Sequence, residues 1–182
     1  ARGRIDADAR VALFRTKAVE AAATVASVGS LDDVPQAIAD YLRANNLPPT
    51  LRLDPDPDLA ALPWDRAPML ETSAGASDGS DDNAVTFCEA GIAETGTLML
   101  ASGAHHASGL AFLPETHVVV IRRSQIVGGL EEAWDALRRT RGADWPRAVH
   151  FVTGPSRSAD IEQTLQMGAH GPKRLHILLV DA

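Results

Sequence analysis

Two short polar stretches carry the residue types that can do chemistry. Residues 90–100 (AGIAETGTLML) set Glu94 and the hydroxyls of Thr95 and Thr97 around Gly96, between apolar runs. Residues 153–180 (TGPSRSADIEQTLQMGAHGPKRLHILLV) begin with a Gly-Pro turn and lead through Arg157, Asp160 and His170 back into an apolar run. A carboxylate beside glycine amides could act as nucleophile, general base or metal ligand. The same residues could equally build a tight turn in which Glu94 satisfies amides at its rim. In the second stretch, Ser158 or Asp160 can cap a helix. Its exposed amides, with Ser156 and the fork of Arg157, would then hold a carboxylate or phosphate. The competing arrangement pairs Arg157 with Asp160 or Glu162, which already complement the helix dipole. GPSRSAD lacks the Gly-Lys pair of a phosphate-binding loop of the Walker type, and it is not a dinucleotide fingerprint.

The remaining polar candidates are histidines. His105 and His106 are adjacent in SGAHHASG, so in an extended chain they point opposite ways and at most one faces a given site. His117, His150 and His176 lie in or beside apolar runs and read as core or edge residues, whereas His170 sits between glycines. There is no HxxxH or HExxH spacing, so the expectation is that no metal is held.

The elements that must position these residues follow from the hydrophobic pattern. Residues 9–23 (ARVALFRTKAVEAAA) favour helix, with Asp6 or Asp8 available as cap, and 24–28 suit a short strand. A second helix from Asp32 or Asp33 runs to Asn45 on the stripe Val34, Ala37, Ile38, Tyr41, Leu42, and stops at the Asn46, Pro48, Pro49 cluster. TLRLD at 50–54 alternates as a strand, and PDPDLAALPW reads as a turn and a brief helical piece. AVTF, TLMLAS, THVVVIRR, RAVHFVTG and RLHILLVD are short apolar runs, with an amphipathic helix at 130–140. The pattern predicts an α/β fold: a layered, mostly parallel sheet flanked by helices, with an antiparallel addition between 84 and 123. It predicts one domain over 1–182, with an N-terminal helical segment at 1–23. Residues 73–83 (SAGASDGSDDN) are expected to form a flexible loop. In an open sheet, ligands collect where loops leave the carboxyl ends of strands, which directs attention to GIAETGT, SGAHHASG and TGPSRSAD.

Composition bounds the partners. The 182 residues are 45% hydrophobic, and 17 basic against 24 acidic residues give a net charge of −7, which argues against nucleic acid and anionic membranes. No apolar run approaches the roughly 20 residues of a membrane span. The single cysteine, Cys88, excludes an intrachain disulfide and a cysteine-only metal cage within these residues and suits a reducing cytosol. A cytoplasmic protein without membrane insertion is expected, and a homo-oligomer is compatible with these features.

AETGTLML, LPETHVVVIRRSQIV and above all TGPSRSADIEQTLQMGAHGPKRLHILLVD resemble the lactate utilization protein C family, whose domain is called LUD. The resemblance covers about residues 84–181. It implies a fold related to the coenzyme A transferase and ribose phosphate isomerase group. It also implies a role in oxidising L-lactate to pyruvate beside partner subunits that carry iron–sulfur clusters. The family motif weights Glu94, Thr95, Gly96 and Thr97, then Gly154, Pro155, Ser156, Arg157 and Asp160, with His170 and Gly171 following. One cysteine supplies no four-thiolate cluster and no dinucleotide fingerprint is present, so no cofactor is expected in this chain and the clusters belong to partners. Two functions follow. In one the chain is an accessory or ligand-binding subunit with a pocket for a small anion; in the other it transfers acyl or phosphoryl groups through Glu94.

Overall fold

In the computed structural model, residues 6–156 and 171–181 are described. Arg157, Asp160 and His170 lie outside them. The chain runs α1 (Ala7–Glu20), β1 (Thr24–Val28), α2 (Val34–Ala44), β2 (Thr50–Leu53), α3 (Pro57–Ala60), β3 (Glu71–Ala74), β4 (Asn83–Phe87), β5 (Ala90–Ile92), β6 (Thr97–Ala101), β7 (Thr116–Arg122), β8 (Ile126–Val127), α4 (Leu130–Arg141), β9 (Val149–Val152) and β10 (Arg174–Val180).

Local signals set the helix ends. Asp6 caps α1 by accepting from Ala9 N at 2.9 Å, and Val11, Phe14 and Ala18 form its buried stripe. Ahead of α2, Asp33 accepts from both the backbone and the hydroxyl of Ser30 at 2.9 Å, fixing the entry turn. Val34, Ile38 and Leu42 are its buried stripe. In α4 the first turn carries Glu131 and Glu132 and the last carries Arg138, Arg139 and Arg141, matching the helix dipole at both ends.

Six strands form one wholly parallel sheet in the order β1-β10-β7-β4-β2-β3. The continuous apolar runs of β7 and β10 occupy its middle, because a central parallel strand is covered on both faces. α2 and α3 cover one face, through Ile38, Leu42 and Leu59 against Val85, Val118, Val120 and Leu178. The expected antiparallel addition is the β5–β6 hairpin, which belongs to a separate, mixed four-stranded sheet, β8-β5-β6-β9; β8 runs parallel to β5 and β9 antiparallel to β6, and the sheet lies with α1 on the other face. Phe14 of α1 and Leu98 and Leu100 of β6 share a cluster with Val119, Ile121 and Ile177. α4 closes the outer side of the small sheet, with Ala133 and Leu137 against Ile92, Met99 and Ala101. All five residues of β6 are therefore buried.

The expected loop over 73–83 is shorter. Ser73 and Ala74 complete β3 and Asn83 opens β4, leaving 75–82 as the connection. β3 is exposed at every position, so its order comes from backbone bonding to β2 and not from side-chain burial. No helix among the described residues is long and apolar enough to cross a membrane.

Candidate functional site

The parallel sheet changes direction between β2 and β4. From β2 the chain moves outward to β3, and from β4 it moves the opposite way to β7, so the loops leaving these neighbours part and open a crevice at their carboxyl ends. A cavity of about 320 Å³ lies there, within the range of small-ligand pockets. Its walls come from the loop after β2 (Asp54, Asp56), the end of β4 (Phe87, Cys88, Glu89), the end of β7 (Arg122), the turn after β6 (His106) and the last turn of α4 (Arg141), with His150 of β9 also facing in.

Asp54 is 2% exposed and both its oxygens are engaged. One accepts from Ala107 N at 2.7 Å, and the other lies 2.9 Å from His106 Nδ1. A carboxylate at Nδ1 holds the proton on that nitrogen and leaves Nε2 as the working atom of the ring. The nearest carboxylate to Nε2, Asp56, is 3.9 Å away, too far for a hydrogen bond. The hydrogen bond from Asp54 raises the His106 pKa above the ordinary imidazole value, against the opposing pull of burial.

Two guanidinium groups line the crevice in different states. Arg141 is committed to Glu89, with Nε 3.1 Å from Oε1 and Nη2 closer still. Arg122 lies over the ring of Phe87 at 5.6 Å and forms no ion pair among the described residues. Nε2 of His150 is buried with no hydrogen-bond partner among those residues. Cys88 is buried, and burial pushes its thiol pKa up, so it is held as the thiol. The crevice thus offers a cation with no ion pair among the described residues and an oriented imidazole, donors that suit one carboxylate and a neighbouring oxygen.

The GIAETGT and TGPS turns meet elsewhere, at the far end of the β5–β6 hairpin. Thr97 Oγ1 lies 2.7 Å from both Thr95 Oγ1 and Thr153 Oγ1, so Glu94–Thr97 and Thr153–Ser156 are neighbours. Both turns press on the end of α1. Gly96 has φ 67°, and a Cβ there would lie 2.3 Å from Ala18 N; Gly154 has φ 72°, and a Cβ would lie 2.0 Å from Ala21 O. Only glycine combines that backbone with that approach. The Glu94 carboxylate packs against Gly129 at the N-terminus of α4, while Glu94 N donates to Gly128 O at 3.2 Å. Glu94 does not line the crevice. Pro155 follows the Gly154 turn. Ser156 N donates to Pro172 O at 2.8 Å, which brings Ser156 beside Gly171.

The sequence reading names Glu94 and Arg157 as the site and leaves Asp54 and Arg122 out. It places His106 in one of three candidate turns without a role. The available signal was Asp54 at the end of TLRLD, but its meaning depends on a partner 52 positions along the chain.

Fold and crevice define a layered α/β domain with a cavity at a reversal of strand order. The chain matches the LUD domain model over residues 11–180 and belongs to that family. It is 33% identical to lactate utilization protein C of Bacillus velezensis over 132 residues, 70% of this chain and 53% of that protein. With lactate utilization protein C of Bacillus pumilus it shares 40% identity over 99 residues, 53% of this chain and 41% of that protein. The chain spans about half the length of the curated relatives it matches. A crystal structure of a DUF162 family protein from Deinococcus radiodurans has the same fold, with a TM-score of 0.70 and 24% identity over 97% of this chain and 99% of that one.

Proposed function

We propose that this LUD domain is a ligand-binding component of a lactate utilization system, and that its crevice holds a small carboxylate. The observation that carries the reading is Arg122: a guanidinium facing the cavity, seated on Phe87 and without a carboxylate partner among the described residues. A bidentate pair with a ligand carboxylate would occupy it, and Asp54–His106 would meet the atoms next to that carboxylate. The names of the relatives supply the pathway. Within these residues one buried cysteine provides no thiolate set for a cluster, and iron–sulfur partner subunits would carry the electrons from lactate oxidation.

Isothermal titration with L-lactate, acetate and inorganic phosphate tests this. Carboxylates should bind and Arg122→Gln should weaken them at least about tenfold, the loss of one charge-assisted pair. Unchanged affinity in Arg122→Gln would remove the crevice from the reading, and no carboxylate binding at all would remove the ligand. For the pathway, the domain should co-purify with cluster-bearing partners, and Arg122→Gln should slow lactate oxidation by the assembly.

A second reading rests on Glu94 at the positive end of α4, as the nucleophile of an acyl or phosphoryl transferase. Acyl coenzyme A followed by hydroxylamine should then leave a modification at Glu94, detected by mass spectrometry. Its absence across several donors would dispose of that reading.

A further inference from the structure

We infer that His106 makes the crevice a site for 2-oxygenated carboxylates, and that it distinguishes a 2-oxo acid from the corresponding 2-hydroxy acid by whether its Nε2 carries a proton. This rests on the carboxylate reading above and adds the group next to the carboxylate.

The two ligands differ in the hydrogen bonds that they can offer. A ketone oxygen only accepts hydrogen bonds, whereas a hydroxyl can donate or accept. Asp54 pins the Nδ1 proton of His106 at 2.9 Å, so the neutral ring presents a bare lone pair at Nε2 and the charged ring presents N–H. The charged ring can therefore serve either ligand. The neutral ring can accept from a 2-hydroxyl but opposes a 2-oxo oxygen lone pair to lone pair. An unpaired acceptor placed against another acceptor loses affinity far out of proportion to the one atom that differs.

The groups facing His106 pull its protonation in opposite directions. Asp54 and, at 3.9 Å, Asp56 favour the imidazolium. Arg141 opposes it from α4: the space beside the Gly103 turn is shared by His106 Cδ2 and the Arg141 guanidinium. Glu89 tempers that opposition by pairing with Arg141. Arg122 and His150 line the same cavity, as does Asp58, which is exposed. The raised pKa of His106 places the change of state above that of a free imidazole, inside the range where both acids remain ionised.

Linkage fixes the sign. A ligand that binds only the protonated form raises the His106 pKa, and its affinity falls about tenfold per pH unit once the solution pH passes the pKa of the free site. A ligand that binds both forms shows a much shallower dependence.

The test is isothermal titration of pyruvate and L-lactate, from about pH 5.5 to about pH 9, on either side of the ordinary imidazole pKa. The wild-type ratio of pyruvate to lactate affinity should fall at least tenfold across that range. In His106→Gln it should stay constant within about twofold, since an amide does not titrate. Should that variant fail to fold, the wild-type chain still decides the matter by NMR titration of His106. Saturating pyruvate should raise its pKa and lactate should raise it less. A pH-independent wild-type ratio, or a His106 pKa that pyruvate leaves unmoved or lowers, overturns the inference while leaving carboxylate binding intact. If neither acid binds at any pH, both readings fall.

Discussion

Each carboxylate oxygen of Asp54 is engaged: one takes Ala107 N–H and the other faces His106 Nδ1. An asparagine there can keep one of these bonds only by turning its NH2 group against a donor or by forcing the imidazole into its other tautomer. We therefore expect Asp54→Asn to lower the His106 pKa and to cost about 1–3 kcal/mol, the range for stranding a buried polar group. NMR titration and urea unfolding measure both, and an unmoved His106 pKa would mean that Asp54 does not set the ring. Glu94 makes a contrasting case. Its carboxylate adjoins the N-terminus of α4 and is only partly buried, so Glu94→Gln should cost no more than about 0.3–1 kcal/mol and leave crevice affinities unchanged. A tenfold loss of carboxylate binding in that variant would join the two places that the fold separates. Residue type alone did not reveal this division. Glu94 is conspicuous in sequence because glycines flank it, and one of those glycines is explained by the seating of a turn on α1. Asp54 reads as one more aspartate in an acidic stretch until the fold returns His106 to it.

At the scale of elements, the glycine turns act as seats for α1. Gly96 and Gly154 both have positive φ, and both bring backbone against the last turns of that helix. Gly154→Ala adds the strain of an L-residue at positive φ to a contact of 2.0 Å with Ala21 O, which is backbone and cannot rotate aside. We expect a loss of about 2–4 kcal/mol, typical of overpacking combined with backbone strain. Denaturant unfolding of Gly154→Ala and Gly96→Ala should show it in both, and a loss below about 0.5 kcal/mol in either would mean that α1 shifts freely. The strands of the parallel sheet were legible because burial on both faces writes a continuous apolar run, as in β7 and β10. β3 was not, since ETSA is polar and exposed and owes its conformation to β2. Nor does an apolar run state which sheet it joins. TLMLA and VHFV are strands as expected, but they belong to the small mixed sheet, outside the parallel sheet to which the rule of carboxyl-end crevices applies. Applied to the parallel sheet, the same rule leads to Asp54, Phe87 and Arg122.

For the whole molecule, histidines in opposite environments shape the dependence of stability on pH. His117 is sealed in β7, and His176 in β10 is 5% exposed against the ring of Tyr41; burial depresses both to about 4. For a depressed histidine the stabilisation is complete above the unfolded value of about 6.5 and is lost as pH falls toward the folded value. His106 runs the other way: its raised pKa stabilises the fold below about pH 6.5, and that contribution disappears as pH rises through the folded value. The windows meet, so stability should peak near pH 6.5 and fall on both sides. The acid side should be steeper, since two groups bind protons there on unfolding and one group releases a proton on the other side. Two groups set a limiting slope of about 2.7 kcal/mol per pH unit on the acid side, against about 1.4 for one. Urea unfolding followed by tryptophan fluorescence between about pH 5 and about pH 9 would trace the curve above the range where most carboxylates titrate. His176→Phe keeps a ring against Tyr41 and removes one of the two protons, so it should halve the acid slope and leave the alkaline side alone. A profile level from about pH 5 to about pH 6.5 would show that water reaches these rings in the folded state and that the sheet centre is not sealed. Asp54→Asn should remove the alkaline decline while sparing the acid one, which assigns each side of the peak to its own residues.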